Sequence, residues 1–137
     1  MEPADAACIT SYHAHIYYKD AAERDVAAQL REQIGARFSV RLGRWHDQPV
    51  GPHARPMYQV AFLPAQFAGF IPWLMLNRGD LAVLVHPNSG NPRGDHLKHP
   101  FWMGEVLPIM HPELLPQSDA DEEPGDVSPN TLPQNSH

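Results

Sequence analysis

The residues most able to do chemistry are two histidines placed two positions apart near the start of the chain. His13 and His15 lie in the stretch 12–18 (YHAHIYY), whose aromatic and β-branched content predicts a β-strand. Side chains at positions i and i+2 of a strand project from the same face of a sheet. Two imidazoles on one face are poor hydrophobic packing, so this spacing indicates a metal site, a proton relay or a ligand site.

The elements that must position these histidines follow from the periodicity of the rest of the chain. Asp20 and Glu23 form a capping-box pattern that predicts the start of a helix, which we expect to end at Gly35. Pro64 opens a second helical region, and Pro72 is expected to break or restart it. Strands are predicted over 11–18, 38–42, 57–63 and 81–85, with a short extra strand over 106–110.

This β-α-β-β-α-β order predicts an α+β, ferredoxin-like fold. The expected sheet is antiparallel, with strand order 4-1-3-2 and both helices on one face. In this arrangement the fourth strand lies antiparallel beside the first, so the end of the fourth strand brings His86 close to His13 and His15. Three imidazoles at one rim suit Zn, Fe, Ni or Cu. The long connection 43–56 can deliver His46 or His53 to the same face, and His96 can return to the rim.

Composition divides the 137 residues into one domain and two flanking segments. We predict a flexible N-terminus over 1–10, a domain over 11–111 and a disordered, acidic, Pro-rich tail over 112–137. The tail holds five prolines, six acidic residues and no Lys or Arg. Residues 1–111 hold ten basic and ten acidic side chains, so the formal charge of −6 comes from the tail. A neutral domain without a basic stripe argues against nucleic acid as a partner.

The cellular setting is predicted from a few absent signals. Cys8 is the only cysteine, so the chain cannot form an internal disulfide. No apolar run approaches the roughly 20 residues needed to span a bilayer. The first residues, MEPADAA, lack the basic and apolar regions of a signal peptide. We therefore expect a cytoplasmic protein that has no membrane partner.

Several segments together resemble the DOPA 4,5-dioxygenase family. They are 12–17 (YHAHIY), 43–53 (GRWHDQPVGPH), 73–81 (WLMLNRGDL), 86–90 (HPNSG) and the pair Asp95-His96. The resemblance covers about residues 11–110, and its motifs occur in the family's order. It implies a ferredoxin-like fold, usually dimeric, and extradiol cleavage of a catechol such as DOPA with O₂ and non-haem Fe(II).

Site roles follow from this resemblance together with the sheet faces. No acidic residue lies on the histidine face of the predicted strands, so we expect a mainly histidine site with His13, His15 and His86 as ligands. His53 is expected to be a fourth ligand or a general acid/base, and His46 is the other catalytic candidate. The residues expected near the substrate are Arg41 or Arg44, to bind a carboxylate, together with Gln59 and His96.

Three other functions are compatible with the same residues. The first is a metal-binding protein without oxygenase activity, because Zn outcompetes Fe(II) for nitrogen ligands. The second is a cofactor-free dimeric α+β barrel that acts as a monooxygenase-like enzyme or binds a small ligand. The third is an interaction module that uses the exposed sheet face, which a polar, histidine-lined face disfavours.

Overall fold

The computed structural model of the chain describes residues 2–118 and 125–134. Its strands are β1 (Ser11–Tyr17), β2 (Arg41–His46), β3 (Met57–Phe62), β4 (Val83–Asn88) and β5 (Phe101–Met103), and its helices are α1 (Ala21–Arg37), α2 (Phe67–Asn77) and α3 (Pro92–Leu97). The strands form one antiparallel sheet in the order β2-β3-β1-β4-β5. The predicted α+β fold and the order 4-1-3-2 are confirmed, with β5 added beside β4. Among the described residues, no helix has the length and apolarity to cross a membrane.

The main core lies between the sheet and helices α1 and α2. The strands contribute the alternate side chains that the pattern assigned to the helix side, among them Ala14, Ile16 and Val60, all at 0% exposure. Helix α1 contributes Leu30 and Ile34. Burial of this apolar surface is the main source of stability for the fold.

Helix α1 begins as the sequence predicts and ends later. The Asp20 side chain accepts a hydrogen bond from the Glu23 backbone N–H (2.9 Å), which satisfies one of the free donors of the first turn. The helix continues past Gly35 to Arg37, so Gly35 is not its terminator. The Phe38 backbone N–H bonds to the Ile34 carbonyl at the C-terminal end. Gly35 has no side chain, and a Cβ at this position would be in ordinary van der Waals contact with Leu42 and Thr131.

Three strand predictions need correction. The second strand begins at Arg41 rather than residue 38, because pairing with β3 starts there, and it contains a bulge between Leu42 and Trp45. The fourth strand begins at Val83 and continues through His86 to Asn88, so the histidine lies inside the strand. The extra strand is 101–103 rather than 106–110.

Helix α2 continues without a break through Pro72, contrary to the prediction. Pro72 removes the hydrogen bond to the carbonyl of Ala68, four residues earlier, and its ring crowds that carbonyl. Ala68 and Pro72 are both exposed, so water can solvate the freed carbonyl. The buried side of the helix, with Phe70, Ile71 and Leu74, is unaffected.

The sequence suggested that the sheet face opposite the helices is polar. In the structure only part of that face is polar. One half holds a second, smaller core of Tyr17, Met57, Ala82, Leu84 and Leu107, against which Val50, Trp102 and Ile109 pack. The segment after β5 covers this half, and a β-bridge between His53 and Ile109 ties it to the 50–53 loop. The alternation of polar and apolar residues in the strands does not reveal that this segment covers the face, because the covering residues are distant in sequence.

The acidic tail contacts the domain where the structure describes it. Asn130 bonds to edge strand β2 through its side chain, accepting from the Leu42 N–H (2.8 Å) and donating to the Leu42 carbonyl (3.0 Å). The Thr131 hydroxyl accepts from the Val40 N–H (3.1 Å) and donates to the Phe38 carbonyl (2.6 Å). Residues 119–124 and 135–137 lie outside the described part. The domain boundaries and the disorder of the tail as a whole stay predictions, but residues 130–131 bond specifically to the edge of the sheet.

Candidate metal centre

Three histidines from the two central strands meet on the face opposite the helices. His13 lies directly across from His86 in the β1–β4 pairing, and His15 follows on the same face. One ring nitrogen from each of the three lies within 4.8 Å of the others. The Nε2 atoms of His15 and His86 are 3.1 Å apart. The sheet register therefore brings together the three residues that the sequence predicted as ligands.

The donor set fits a metal ion. The Nε2 of His13 and the Nδ1 of His15 are buried and have no hydrogen-bond partner among the described residues. Buried polar atoms normally have partners, so the unpartnered Nε2 of His13, close to ring nitrogens of His15 and His86, indicates a ligand position; the Nδ1 of His15 cannot bind the same ion as its Nε2. Imidazole nitrogens bind Zn at about 2.0–2.1 Å, which places two ligands of a tetrahedral ion about 3.3–3.4 Å apart. The 3.1 Å separation of the His15 and His86 nitrogens is close to that distance.

Two further histidines flank these three. The ring of His96 lies 4.0 Å from that of His86, and the ring of His53 lies 4.2 Å from that of His15, measured between ring centroids. The His53 and His96 rings are 6.4 Å apart. We call His13, His15, His53, His86 and His96 the histidine cluster. The structure thus places His96 beside the other histidines, and of the two loop candidates His53 is the one whose ring lies there; their roles stay predictions.

Short hydrogen bonds position His96. The side chain of Asn91 caps helix α3 by accepting from the Gly94 N–H (3.0 Å). Asp95 is buried and accepts from the backbone N–H (2.8 Å) and the hydroxyl (2.5 Å) of Ser89, which joins the helix to the end of β4. The Nδ1 of His96 donates to the Pro92 carbonyl (2.7 Å). Asp95 therefore stabilises the loop between β4 and α3. Among the described residues, the histidine cluster has no carboxylate ligand.

Burial keeps the cluster neutral. Desolvation, with a smaller contribution from the charge of His96, lowers the pKa of His13 to about 4. Desolvation, again with His96 as the next cause, lowers the pKa of His53 to about 3. Burial also holds the pKa values of His15 and His86 well below the usual 6.5 and lowers that of His96. Neutral imidazole is the form that binds metals, so the site is ready to bind one at neutral pH.

The other predicted site residues lie outside the histidine cluster. Gln59 pairs with His15 across β1 and β3, so it is next to the cluster. Arg41 lies two strands away from His13, with Ala61 of β3 between them, and forms an ion pair with Asp126 (3.3 Å). Arg44 is exposed in the bulge of β2.

His46 is the remaining predicted residue, and the ring contacts within the described chain do not include it in the cluster. It ends β2 opposite Met57, and its charge contributes to the lowered pKa of His53. Its role as a catalytic residue stays a prediction.

Sequence reasoning missed Tyr17 as a partner in the site. Its hydroxyl lies 2.7 Å from the Nδ1 of His53, and its ring stacks on Trp102 with centroids 5.8 Å apart. Burial raises the pKa of Tyr17, so the phenol stays protonated. The signal that could have found it is its place two residues after His15, on the same strand face.

Fold and site together define a class: a ferredoxin-like α+β domain whose sheet face opposite the helices holds a largely buried histidine cluster suited to a transition metal. Sequence comparison places the chain within that class. The profile of the Dopa 4,5-dioxygenase family matches residues 12–112, which is most of the chain. The chain belongs to this family, and the predicted resemblance is confirmed.

Individual relatives agree with this assignment. The chain is 34% identical to the DOPA 4,5-dioxygenase of Amanita muscaria over 119 residues, covering 81% of this chain and 52% of the relative. It is 40% identical to an uncharacterized 21.2 kDa protein of Botryotinia fuckeliana, covering 79% and 65%. The chain therefore spans about half to two thirds of these relatives.

A solved structure is similar as well. The crystal structure of a "putative dioxygenase" from Nostoc punctiforme superposes with a TM-score of 0.76 at 54% identity, covering 78% of this chain and 92% of that one. The family and these relatives support a dioxygenase function for the chain.

Proposed function

We propose that the chain is an extradiol dioxygenase that opens the ring of DOPA or a related catechol with O₂. His13, His15 and His86 would hold Fe(II). The observation that carries this proposal is the meeting of ring nitrogens from His13, His15 and His86 within 4.8 Å, with the Nε2 of His13 buried and without a partner among the described residues, in a chain of the Dopa 4,5-dioxygenase family.

The residues of the chain have distinct tasks in this reaction. Bound Fe(II) supplies open coordination positions and one-electron chemistry, which allow O₂ to react with a catechol. Three neutral imidazoles on two paired strands would hold the ion in a fixed position, because backbone hydrogen bonds fix the strands. The second core, with Leu84 and Trp102, keeps water away from one side of the site.

Proton transfer falls to the flanking histidines. Extradiol cleavage requires the catechol to lose protons as it binds. The Nδ1 of His96 is committed to the Pro92 carbonyl, so in the neutral ring Nε2 keeps a free lone pair. That nitrogen can accept a catechol proton, and His53 lies on the other side of the cluster to stabilise or return one.

Anaerobic reconstitution tests the proposal. The purified chain is loaded with Fe(II), mixed with catechols and exposed to O₂, and a yellow ring-opened product is expected. His15→Ala and His86→Ala should lose both the iron and the product. His99→Ala is the matched control, because His99 is exposed and lies outside the cluster. Unchanged iron content and turnover in both cluster variants would refute the site.

Two other outcomes would change the assignment. Tight Zn(II) binding with no turnover after Fe(II) loading would favour a metal-binding protein without oxygenase activity. Failure of the wild type to bind any divalent ion would favour the cofactor-free alternative. The proposed homodimer is checked separately by sedimentation, and its absence would leave the metal site untouched.

A further inference from the structure

Hydrogen bonds to backbone carbonyls fix the proton positions of two histidines in the cluster. A carbonyl oxygen can only accept, so the ring nitrogen facing it must carry the proton. The Nδ1 of His86 faces the Pro87 carbonyl at 2.9 Å, and the Nδ1 of His96 faces the Pro92 carbonyl at 2.7 Å. Both neutral rings therefore leave Nε2 unprotonated, as a ligand or base requires.

His53 has a different partner. Its Nδ1 lies 2.7 Å from the hydroxyl of Tyr17, and a hydroxyl can donate as well as accept. Tyr17 is 1% exposed, and His53 Nδ1 is the hydrogen-bond partner of its hydroxyl among the described residues. A buried O–H that does not donate is costly, so the phenol proton goes to Nδ1. The neutral ring of His53 must then carry its own proton on Nε2.

We propose that Tyr17 is a positioning residue that holds His53 in the Nε2–H form, so that His53 donates a hydrogen bond at the site and is not a fourth metal ligand. The catalytic part of this inference rests on the proposed function, while the proton position does not. A donor beside the metal site would stabilise negative charge that develops on the reacting oxygens. His53 and His96 would then act as donor and acceptor on the two sides of the cluster.

The surroundings hold this pair in place. Tyr17 belongs to the second core and stacks on Trp102, so its ring cannot turn away freely. The His53 backbone is fixed by a bond from its N–H to the Val50 carbonyl (3.0 Å) and by the bridge to Ile109. The ring centroid of His53 lies 4.2 Å from that of His15, so the ring whose Nδ1 faces Tyr17 lies beside a predicted ligand.

Nitrogen-15 NMR of the histidine rings in the metal-free protein tests the proton position directly. We expect His53 to show a protonated Nε2 and His96 to show a protonated Nδ1, each assigned with a His→Gln variant. Tyr17→Phe keeps the ring and removes the hydroxyl, so it should change the His53 signals and leave those of His96 unchanged. A protonated Nδ1 on His53 in the wild type, or unchanged His53 signals in Tyr17→Phe, would overturn the proposal.

Metal content and kinetics test the role. His53→Ala should keep one equivalent of iron and lose about a hundredfold in kcat, because a proton-donating group has been removed. Tyr17→Phe should lose about tenfold in kcat with KM little changed. Loss of the iron from His53→Ala, with the fold intact by circular dichroism, would make His53 a ligand and refute the proposal.

The two proposals fail separately. If the wild type opens no catechol, the extradiol function fails, and the NMR experiment still decides the proton position of His53. If the wild type is active but His53 carries its proton on Nδ1, only the inference about Tyr17 fails.

Discussion

The two faces of strand β1 are buried to a similar degree but satisfied very differently. Ala14 and Ile16 are fully buried against α1 and α2, where apolar neighbours are all they need. His13 and His15 are 8% and 3% exposed on the other face, yet a ring nitrogen of each finds no partner within the described part of the chain. Burial without partners costs free energy. The histidine face is therefore built for a ligand, and the helix face is built for stability.

Truncating a side chain on the face of β1 that packs against the helices should have the largest effect on stability. Ile16→Ala removes a side chain with 0% exposure from the main core. We expect the free energy of unfolding of the metal-free protein to fall by about 2–5 kcal/mol, from lost burial and the cavity left behind. Urea denaturation at pH 7.5 measures it. A loss below about 1 kcal/mol would mean that this face does not dominate stability.

Acid should destabilise the metal-free protein through the histidine face. An unfolded histidine gains its proton near pH 6.5, whereas folded His13, whose pKa is lowered to about 4 by burial, stays neutral. Between these values the unfolded state binds more protons, so stability falls as the pH drops from 6.5 towards 4. His13 alone would account for about 3 kcal/mol at the acid end.

Urea titrations at several pH values check this acid effect. The variant His13→Leu cannot take up the proton, so its stability should depend less steeply on pH in the same window. A wild-type stability that stays constant between pH 6.5 and 4 would contradict the burial of neutral histidines.

Replacing a histidine with an apolar residue of similar size should raise the free energy of unfolding, whereas Ile16→Ala lowers it. His13→Leu removes a buried nitrogen for which residues 2–118 and 125–134 provide no partner. At pH 7.5 we expect the metal-free protein to become more stable by about 1–2 kcal/mol. Added Zn(II) should raise the melting temperature of the wild type and not that of the variant, because ligand binding stabilises only a folded state that has the site. A destabilised His13→Leu would show that the face is satisfied without a ligand.

The sequence predicted those parts of the molecule that depend on local pattern. The spacing of His13 and His15 gave the correct face, and the topology placed His86 beside them, because strand pairing in this fold allows little choice. The Asp20 cap was equally local. Long-range packing was not predictable: the segment around Ile109 covers Tyr17 and fixes His53, and nothing near those residues in sequence announces it.

The errors in element boundaries have a related cause. Residues 38–42 alternate like a strand, but Phe38 is used to pack against Phe70 and Trp73, and pairing with β3 begins only at Arg41. The alternation of polar and apolar residues indicates which side chains are buried. It does not indicate which backbone segments pair with a neighbouring strand. Tertiary contacts decided the boundary.

The smallest effect concerns the polar end of the histidine face. Arg41 lies on the same row of the sheet as His13, with Ala61 between them, and it was predicted to bind a substrate carboxylate. In the structure Arg41 forms an ion pair with Asp126 at 3.3 Å and donates to the Ser128 carbonyl, also at 3.3 Å. The tail thus bonds to the guanidinium group of Arg41, which was predicted to bind the substrate carboxylate.

Asp126→Asn should therefore free Arg41. We expect KM to fall by about two- to fivefold for catechols that bear a carboxylate, and to stay unchanged for 4-methylcatechol, which has none, because exposed ion pairs are weak. Glu105→Gln is the matched control: it removes an exposed acid that pairs with Arg55 instead. Equal changes for both substrates, or the same change in the control, would separate Arg41 from substrate binding and leave the tail contact as an edge cover for β2.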